Sequence, residues 1–233
     1  RRVHAVHLAT GTPFGLAAPP AEPDLPRDKK GRVLFWPGCR ALAEEPEQAA
    51  ATVRILRALG ADHVSLPARQ DVPSCCGAPL RAMGDRRGFE VSAAGLNQYF
   101  NRQRTWVSPS ADCLLAVRQG YPEAGLEINA EVLHLGEYLL FFVDRLRELG
   151  RAACEAREAA GQPWPTMLVH DACTLHRRLG RGEAVHRVVE AVTGQRPEPF
   201  GPTADRTACC GAGDLFDLRR PADAAVVAAA AVD

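Results

Sequence analysis

Six cysteines recur in this chain at one fixed spacing, and thiols so placed are either ligands for a soft metal or partners in redox exchange. The first group reads Val33-Leu34-Phe35-Trp36-Pro37-Gly38-Cys39 and, after thirty-five intervening residues, Cys75-Cys76-Gly77-Ala78. The second reads Met167-Leu168-Val169-His170-Asp171-Ala172-Cys173 and, after thirty-five more, Cys209-Cys210-Gly211-Ala212. Each cysteine lies 134 positions from its twin, and so do Gly60 and Gly194. An offset that carries a helix-stopping glycine along with six thiols marks a duplicated supersecondary unit. Cys113 adds a fourth candidate thiol to the first copy.

Gathering thiolates is unfavourable without a cation, since two unit charges at 4 Å repel by about 4 kcal/mol at an effective dielectric near 20. Either most of the sulfurs keep their protons or a metal neutralises them. Three or four sulfur ligands select zinc or an iron–sulfur centre over hard cations. The adjacent pair leans away from zinc, because neighbouring residues seldom reach two corners of one tetrahedron, whereas they can touch different irons of a larger cluster. Two other readings stay open: a zinc-stabilised scaffold without redox activity, and a metal-free protein in which Cys75-Cys76 or Cys39 cycles between thiol and disulfide.

The elements that must position these thiols can be read in order. Residues 1–31, with Pro13, Pro19, Pro20 and the cluster Arg27-Asp28-Lys29-Lys30, are expected to form an irregular lead-in or linker. A buried strand is predicted over 32–36, stopped by Pro37-Gly38 so that Cys39 emerges at its carboxyl end. A helix follows from Pro46, with Val53, Leu56 and Leu59 on one face and Gly60 at its end. A second strand is expected at Val64–Leu66, and the Pro67–Ser74 loop then delivers Cys75-Cys76. A helix with Phe89, Ala93, Leu96 and Phe100 inward comes next, and a third strand at Thr105–Ser108 precedes Cys113. Residues 132–165 read as a helical bridge. In the second copy a strand at 166–170 precedes Cys173, the helix bearing Val185, Val188, Val189 and Val192 stops at Gly194, and Pro197–Phe200 is strand-like. Alternating strands and helices predict an α/β fold of two tandem, pseudo-symmetric, Rossmann-like repeats with small parallel sheets. The domains expected are 1–31, 32–131, 132–165 and 166–233.

Composition bounds the function classes. An apolar share of 46% with 24% charged residues is that of a globular protein. A formal net charge of zero offers no footprint for nucleic acid or an anionic membrane. No apolar run approaches the roughly eighteen residues of a membrane span, and the alanine-rich stretch 224–232 follows Pro221 and Asp223 as an ordinary helix start would. Nothing near the N-terminus resembles a secretory signal. Large size, strong patterning and paired Cys-Cys point away from a disulfide framework and toward a reducing cytoplasm. The sequence starts at Arg1 without methionine and is expected to be a fragment or processed form.

The frame Cys, about thirty-five residues, Cys-Cys-Gly, about thirty-five residues, Cys resembles the cysteine-rich CCG domain that occurs in tandem in the B and D subunits of heterodisulfide reductase and in the glycolate oxidase iron–sulfur subunit. Phe35-Trp36-Pro37-Gly38-Cys39, His170-Asp171-Ala172-Cys173 and Cys209-Cys210-Gly211-Ala212-Gly213 carry the likeness over residues 32–233. The resemblance implies an oxidoreductase subunit that binds one or two [4Fe-4S] clusters, noncubane where heterodisulfide is reduced, and exchanges electrons with a disulfide, quinone or flavoprotein partner. Its ligands would be Cys39, Cys75, Cys76 and Cys113, and Cys173, Cys209 and Cys210. The implied partners are flavoprotein, ferredoxin-type or membrane quinone-reducing subunits. The implied location is cytoplasmic, with any membrane attachment made through a partner. Ser110 stands where the family often has cysteine, and loss of a ligand is favoured over a hydroxyl ligand. The twin of Cys113 would fall at position 247, so the second copy is expected to be truncated. His170 and His176 are read as holding the loop rather than ligating, and Cys154 as an ordinary helix cysteine. Arg40, Arg81, Arg177 and Arg178 divide evenly between offsetting cluster charge and lying on a solvated surface. Gly77 and Gly211 are expected to let the backbone approach sulfur closely.

Overall fold

The computed structural model describes residues 2–15, 32–61, 63–66, 75–199, 201 and 206–232. The chain divides into two compact units, Arg1–His134 and Leu135–Asp233. The Arg27–Lys30 cluster, the Pro67–Ser74 loop and Phe200 lie outside the described residues.

The first unit opens with α1 (Arg2–Thr10), whose one buried side chain is His7. This part of the expected irregular lead-in is helical. His4 Nε2, 2.8 Å from Asp85 Oδ2, ties the helix to the rest of the unit, a long-range contact with no local sequence signal. Next come β1 (Val33–Phe35), α2 (Cys39–Glu44), α3 (Pro46–Ala58), β2 (Val64–Ser65), α4 (Ala78–Ala82) and α5 (Arg86–Phe100). They are followed by β3 (Thr105–Ser108), α6 (Ala111–Leu115), α7 (Tyr121–Glu123) and β4 (Glu131–His134). The four strands form a parallel sheet in the order β2-β1-β3-β4. Parallel neighbours need crossovers, and the helices supply them. Leu34, Phe35, Trp106 and Val107 are almost wholly buried, as expected where helices cover a parallel sheet. Phe100 packs 4.7 Å from Trp106 and 5.5 Å from Trp36, ring centre to ring centre, which locks α5 onto β1 and β3. β4 corrects the expected start of the helical bridge. Residues 131–134 pair along the whole of β3, and that pairing overrides the helical pattern that follows them.

The second unit holds α8 (Leu135–Leu139), α9 (Val143–Ala159), β5 (Leu168–Val169), α10 (Glu183–Thr193), β6 (Glu198–Pro199), α11 (Phe216–Arg219) and α12 (Pro221–Val232). β5 and β6 pair in parallel. With the 134-residue offset, β2 maps onto β6, β1 onto β5, α3 onto α10 and α5 onto α12, each within a few residues. The duplication is therefore structural, and the α/β class with small parallel sheets holds in both units. On α10 the deepest residues are Ala184, His186, Ala191 and Thr193, while the valines expected to form its apolar face are only half-buried. α9 crosses α10 closely: a Cβ added at Gly150 would lie 2.3 Å from the carbonyl oxygen of Val192. Gly150→Ala is expected to destabilise the second unit by about 1–3 kcal/mol through this backbone clash, read as a lowered urea midpoint at unchanged circular dichroism.

Candidate metal centre

In an open parallel sheet the crevice lies at the carboxyl ends of the strands, where the strand order switches direction. Here that switch falls between β1, whose next neighbour in sequence lies on one side, and β3 on the other. The chain leaving β1 turns through Gly38, at φ 87°, and Cys39 opens α2. A Cβ on Gly38 would stand 3.3 Å from Ser110 Cβ and 3.7 Å from Cys113 Sγ, so this glycine both makes the turn and leaves space for the segment after β3. That segment starts α6, with Ser110 as its N-cap accepting the Cys113 N–H at 3.3 Å. Ser110 thus has a capping duty typical of a hydroxyl.

Cys75 and Cys76 precede Gly77, which adopts φ 83° and donates its N–H to Cys75 Sγ at 3.4 Å. Ser92 donates to the Cys75 carbonyl at 3.1 Å, and the buried Tyr121 hydroxyl donates to the Cys76 carbonyl at 3.0 Å. The pair is therefore held through its backbone from α5 and α7. The four sulfurs meet as two close pairs, Cys39 with Cys75 at 3.7 Å and Cys76 with Cys113 at 3.1 Å. Cys39 is 6% exposed, Cys75 and Cys76 1%, and Cys113 4%.

This crowding separates the thiols electrically. Hydrogen bonds with Cys113 and then Cys75 hold the Cys76 thiol well below its usual range, against the opposing effect of burial. Cys113 is pushed up by its hydrogen bond to Cys76 and by burial, and Cys75 by its hydrogen bonds to Cys39 and Cys76 and by burial. Burial first, and then the charge of Cys76, raises the Tyr121 hydroxyl far above its ordinary value, so Tyr121 remains a donor. The pocket thus favours charge on Cys76 and disfavours it on Cys75 and Cys113.

In the second copy Cys173 and Cys210 are partly exposed and Cys209 is exposed. Among the described residues no contact joins these three sulfurs to one another. The local frame nevertheless repeats: Gly211, at φ 76°, donates to Cys209 Sγ at 3.4 Å as Gly77 does to Cys75. Thr207, just ahead of the pair, donates to the Asp171 carbonyl at 2.5 Å and ties the cysteine loop to the end of β5. The Asp171 carboxylate lies within hydrogen-bonding distance of His176 and His186. His186, Thr207 and Tyr121 escaped the sequence reading. The one available signal was a histidine set among the valines of α10.

Three of the four arginines lie in ion pairs at or near the surface, Arg40 with Glu44, Arg81 with Glu123 and Arg178 with Asp214, while Arg177 is exposed. Cys154, on α9, donates to the Thr193 carbonyl of α10 at 3.6 Å.

The family profile of the CCG cysteine-rich domain matches residues 33–118 and 167–233. Among curated proteins, the chain is 24% identical over 197 residues to the D subunit of dihydromethanophenazine:CoB–CoM heterodisulfide reductase from Methanosarcina mazei. It is also 24% identical to the same protein of Methanosarcina barkeri over 204 residues and of Methanosarcina acetivorans over 197. Each alignment covers 82% of this chain and 45% of the relative, so the chain spans less than half the length of the curated relatives it matches.

In metal-free, reduced protein titrated upward in pH, Cys76→Ser is expected to remove the first thiolate absorbance to appear from the buried set Cys75, Cys76 and Cys113. Cys75→Ser should leave most of it; equal losses in the two variants would contradict the assignment of the charge to Cys76.

Proposed function

The chain belongs to the cysteine-rich CCG domain family, and from that premise we propose that it is the iron–sulfur-bearing, electron-relaying part of an oxidoreductase complex. The observation that carries this reading is the buried gathering of Cys39, Cys75, Cys76 and Cys113 as two sulfur pairs at the switch point of a parallel sheet. The donor set suits the group. Four thiols match the ligand complement of a [4Fe-4S] cluster, and a buried pocket that disfavours charge on Cys75 and Cys113 gains from a cation that neutralises it. When bound, such a cluster supplies one-electron transfer.

The chain's own residues would hold and insulate it. Gly77 N–H offers a hydrogen bond to Cys75 sulfur, and donors of this kind tune the potential of a cluster. Tyr121 fixes the Cys76 carbonyl from the buried side, and Trp36 and Phe35 close the strand end against water. Cys173, Cys209 and Cys210 take the corresponding ligand role in the second copy. The repeats are assigned to residues 32–134, extended to include β4, and 166–233.

The likeness to the D subunits of heterodisulfide reductase favours a disulfide-reducing complex over a 2-hydroxy-acid oxidase. Ser110 in place of a further thiol favours an ordinary four-thiolate cluster over a noncubane one. Electron partners would be flavoprotein, ferredoxin-type or quinone-reducing subunits. Among the described residues no helix is long and apolar enough to cross a membrane.

Metal and sulfide analysis of anaerobically prepared protein, with low-temperature EPR after dithionite, tests the proposal. Iron and sulfide in comparable amounts are expected, with the first copy's share of the iron and of the EPR signal lost in Cys76→Ala. Zinc alone with no dithionite response would instead establish a scaffold, and metal-free protein forming a disulfide on mild oxidation would establish thiol–disulfide exchange.

A further inference from the structure

The second unit contains a constellation that the cysteine chemistry does not use. Among the described residues, Asp171, His176 and His186 are the one group of three or more histidine, cysteine or acidic side chains whose ligand atoms all lie within 4.8 Å of one another. Asp171 Oδ1 is 2.6 Å from His186 Nε2 and 2.9 Å from His176 Nε2. The carboxylate side chain is 4% exposed, His186 9% and His176 14%. The two imidazole planes are nearly perpendicular, at 82°, so their nitrogens converge on the carboxylate from different directions. We propose that Asp171, His176 and His186 form a binding site for a divalent ion of the zinc type, separate from the thiolate centres.

Three observations carry the proposal beyond the distances. The first is the duplicated frame itself. With the 134-residue offset, the positions corresponding to Asp171, His176 and His186 in the first copy are Pro37, Leu42 and Thr52. That copy builds the same strand and following helix with no ligating group at those places, and Thr52 donates to the Gln48 carbonyl of its own helix. The fold therefore does not require a buried carboxylate between two imidazoles, and placing one there carries a desolvation cost.

The second is Gly182. Its backbone is ordinary right-handed helix, at φ −68° and ψ −31°, which any residue adopts. A Cβ there would fall 1.6 Å from His176 Nε2. The missing side chain is the space the imidazole occupies, so residue 182 is shaped around the ring. The third is the turn that carries His176. The segment after Cys39 is regular α2, whereas Thr174–Arg178, after Cys173, forms a π-type turn. Such widened turns concentrate at functional sites, and this one delivers His176 to the carboxylate. Thr207 fixes the Asp171 backbone from the opposite side.

The donor set selects the ion. Two imidazoles and one carboxylate suit zinc and its transition-metal neighbours and leave a fourth position open. A tetrahedral ion with bonds of about 2.0–2.1 Å holds its ligand atoms about 3.3 Å apart, so each nitrogen would move less than about 1 Å from its present distance to Oδ1. An imidazole that ligates through Nε2 carries its N–H on Nδ1. The ion would join the end of β5, the turn after Cys173 and the start of α10 at one point.

The test uses the full chain prepared anaerobically, with whatever metal its thiols hold left in place, and Co(II) as the probe. One equivalent is expected to bind and to produce strongly shifted, exchangeable imidazole N–H proton resonances. His186→Gln keeps a hydrogen-bond donor for Asp171 but is expected to lose the bound equivalent and those resonances, at unchanged circular dichroism and thiol-bound metal. Wild-type protein without shifted imidazole resonances, or with cobalt showing only thiolate charge-transfer bands, overturns the proposal and leaves a hydrogen-bonded carboxylate between two imidazoles. The wild-type measurement stands even where a variant fails to fold. Because the readout comes from imidazole protons, a negative result here and the absence of iron at the thiols are separate outcomes.

Discussion

The arrangement of the first unit follows from the cost of holding four sulfurs together out of water. With Cys75 and Cys76 each 1% exposed, solvent cannot screen their charges, and the separations of 3.1 and 3.7 Å are shorter than the 4 Å at which two thiolates already repel by about 4 kcal/mol. Such a pocket exists only if protons or a cation occupy it, and only if the backbone around it resists spreading. The parallel sheet supplies that resistance. β1 and β3 are adjacent, so the segments leaving them open side by side, and Tyr121 and Ser92 fix the backbone of the Cys75-Cys76 pair from two further helices.

Much of this was legible in the sequence because it depends on spacing and on residues with restricted conformations. The repeat offset predicted the matching elements, Thr105–Ser108 was found at its observed limits, and Gly60 and Gly194 were read as helix stops; both adopt positive φ. The hidden features depend on contacts distant in the chain. α1 is helical where proline content suggested irregularity, held by His4 on Asp85, and Glu131–His134 is a strand because β3 offers it a partner. His186 is invisible for the same reason. Nothing near it in sequence reveals that Asp171 lies opposite, and a valine-rich helix pattern hides a face whose deepest members are small or polar.

The two copies show how one frame tolerates different interiors. The first buries its sulfurs and fills the positions equivalent to Asp171, His176 and His186 with Pro37, Leu42 and Thr52. The second exposes its thiols more and places its polar investment in the carboxylate and two imidazoles. The strand and the helix that follows are common to both, so the chemistry of each copy is set by a few side chains on that frame rather than by the scaffold.

The Cys-Cys-Gly order itself has a mechanical explanation that both copies share. Gly77 and Gly211 adopt φ 83° and 76°, a region in which other residues are strained, and in each case the glycine N–H reaches back to the first sulfur of the pair at 3.4 Å. Each also lies under a helix: a Cβ would fall 2.9 Å from the Phe89 ring on α5 at Gly77, and 2.8 Å from the Ala224 carbonyl oxygen on α12 at Gly211. A side chain at either position would therefore disturb the turn and the helix above it together. Sulfur placement and helix packing are thus one constraint, and it accounts for α12, an alanine-rich helix whose small side chains permit the close approach that Gly211 makes possible.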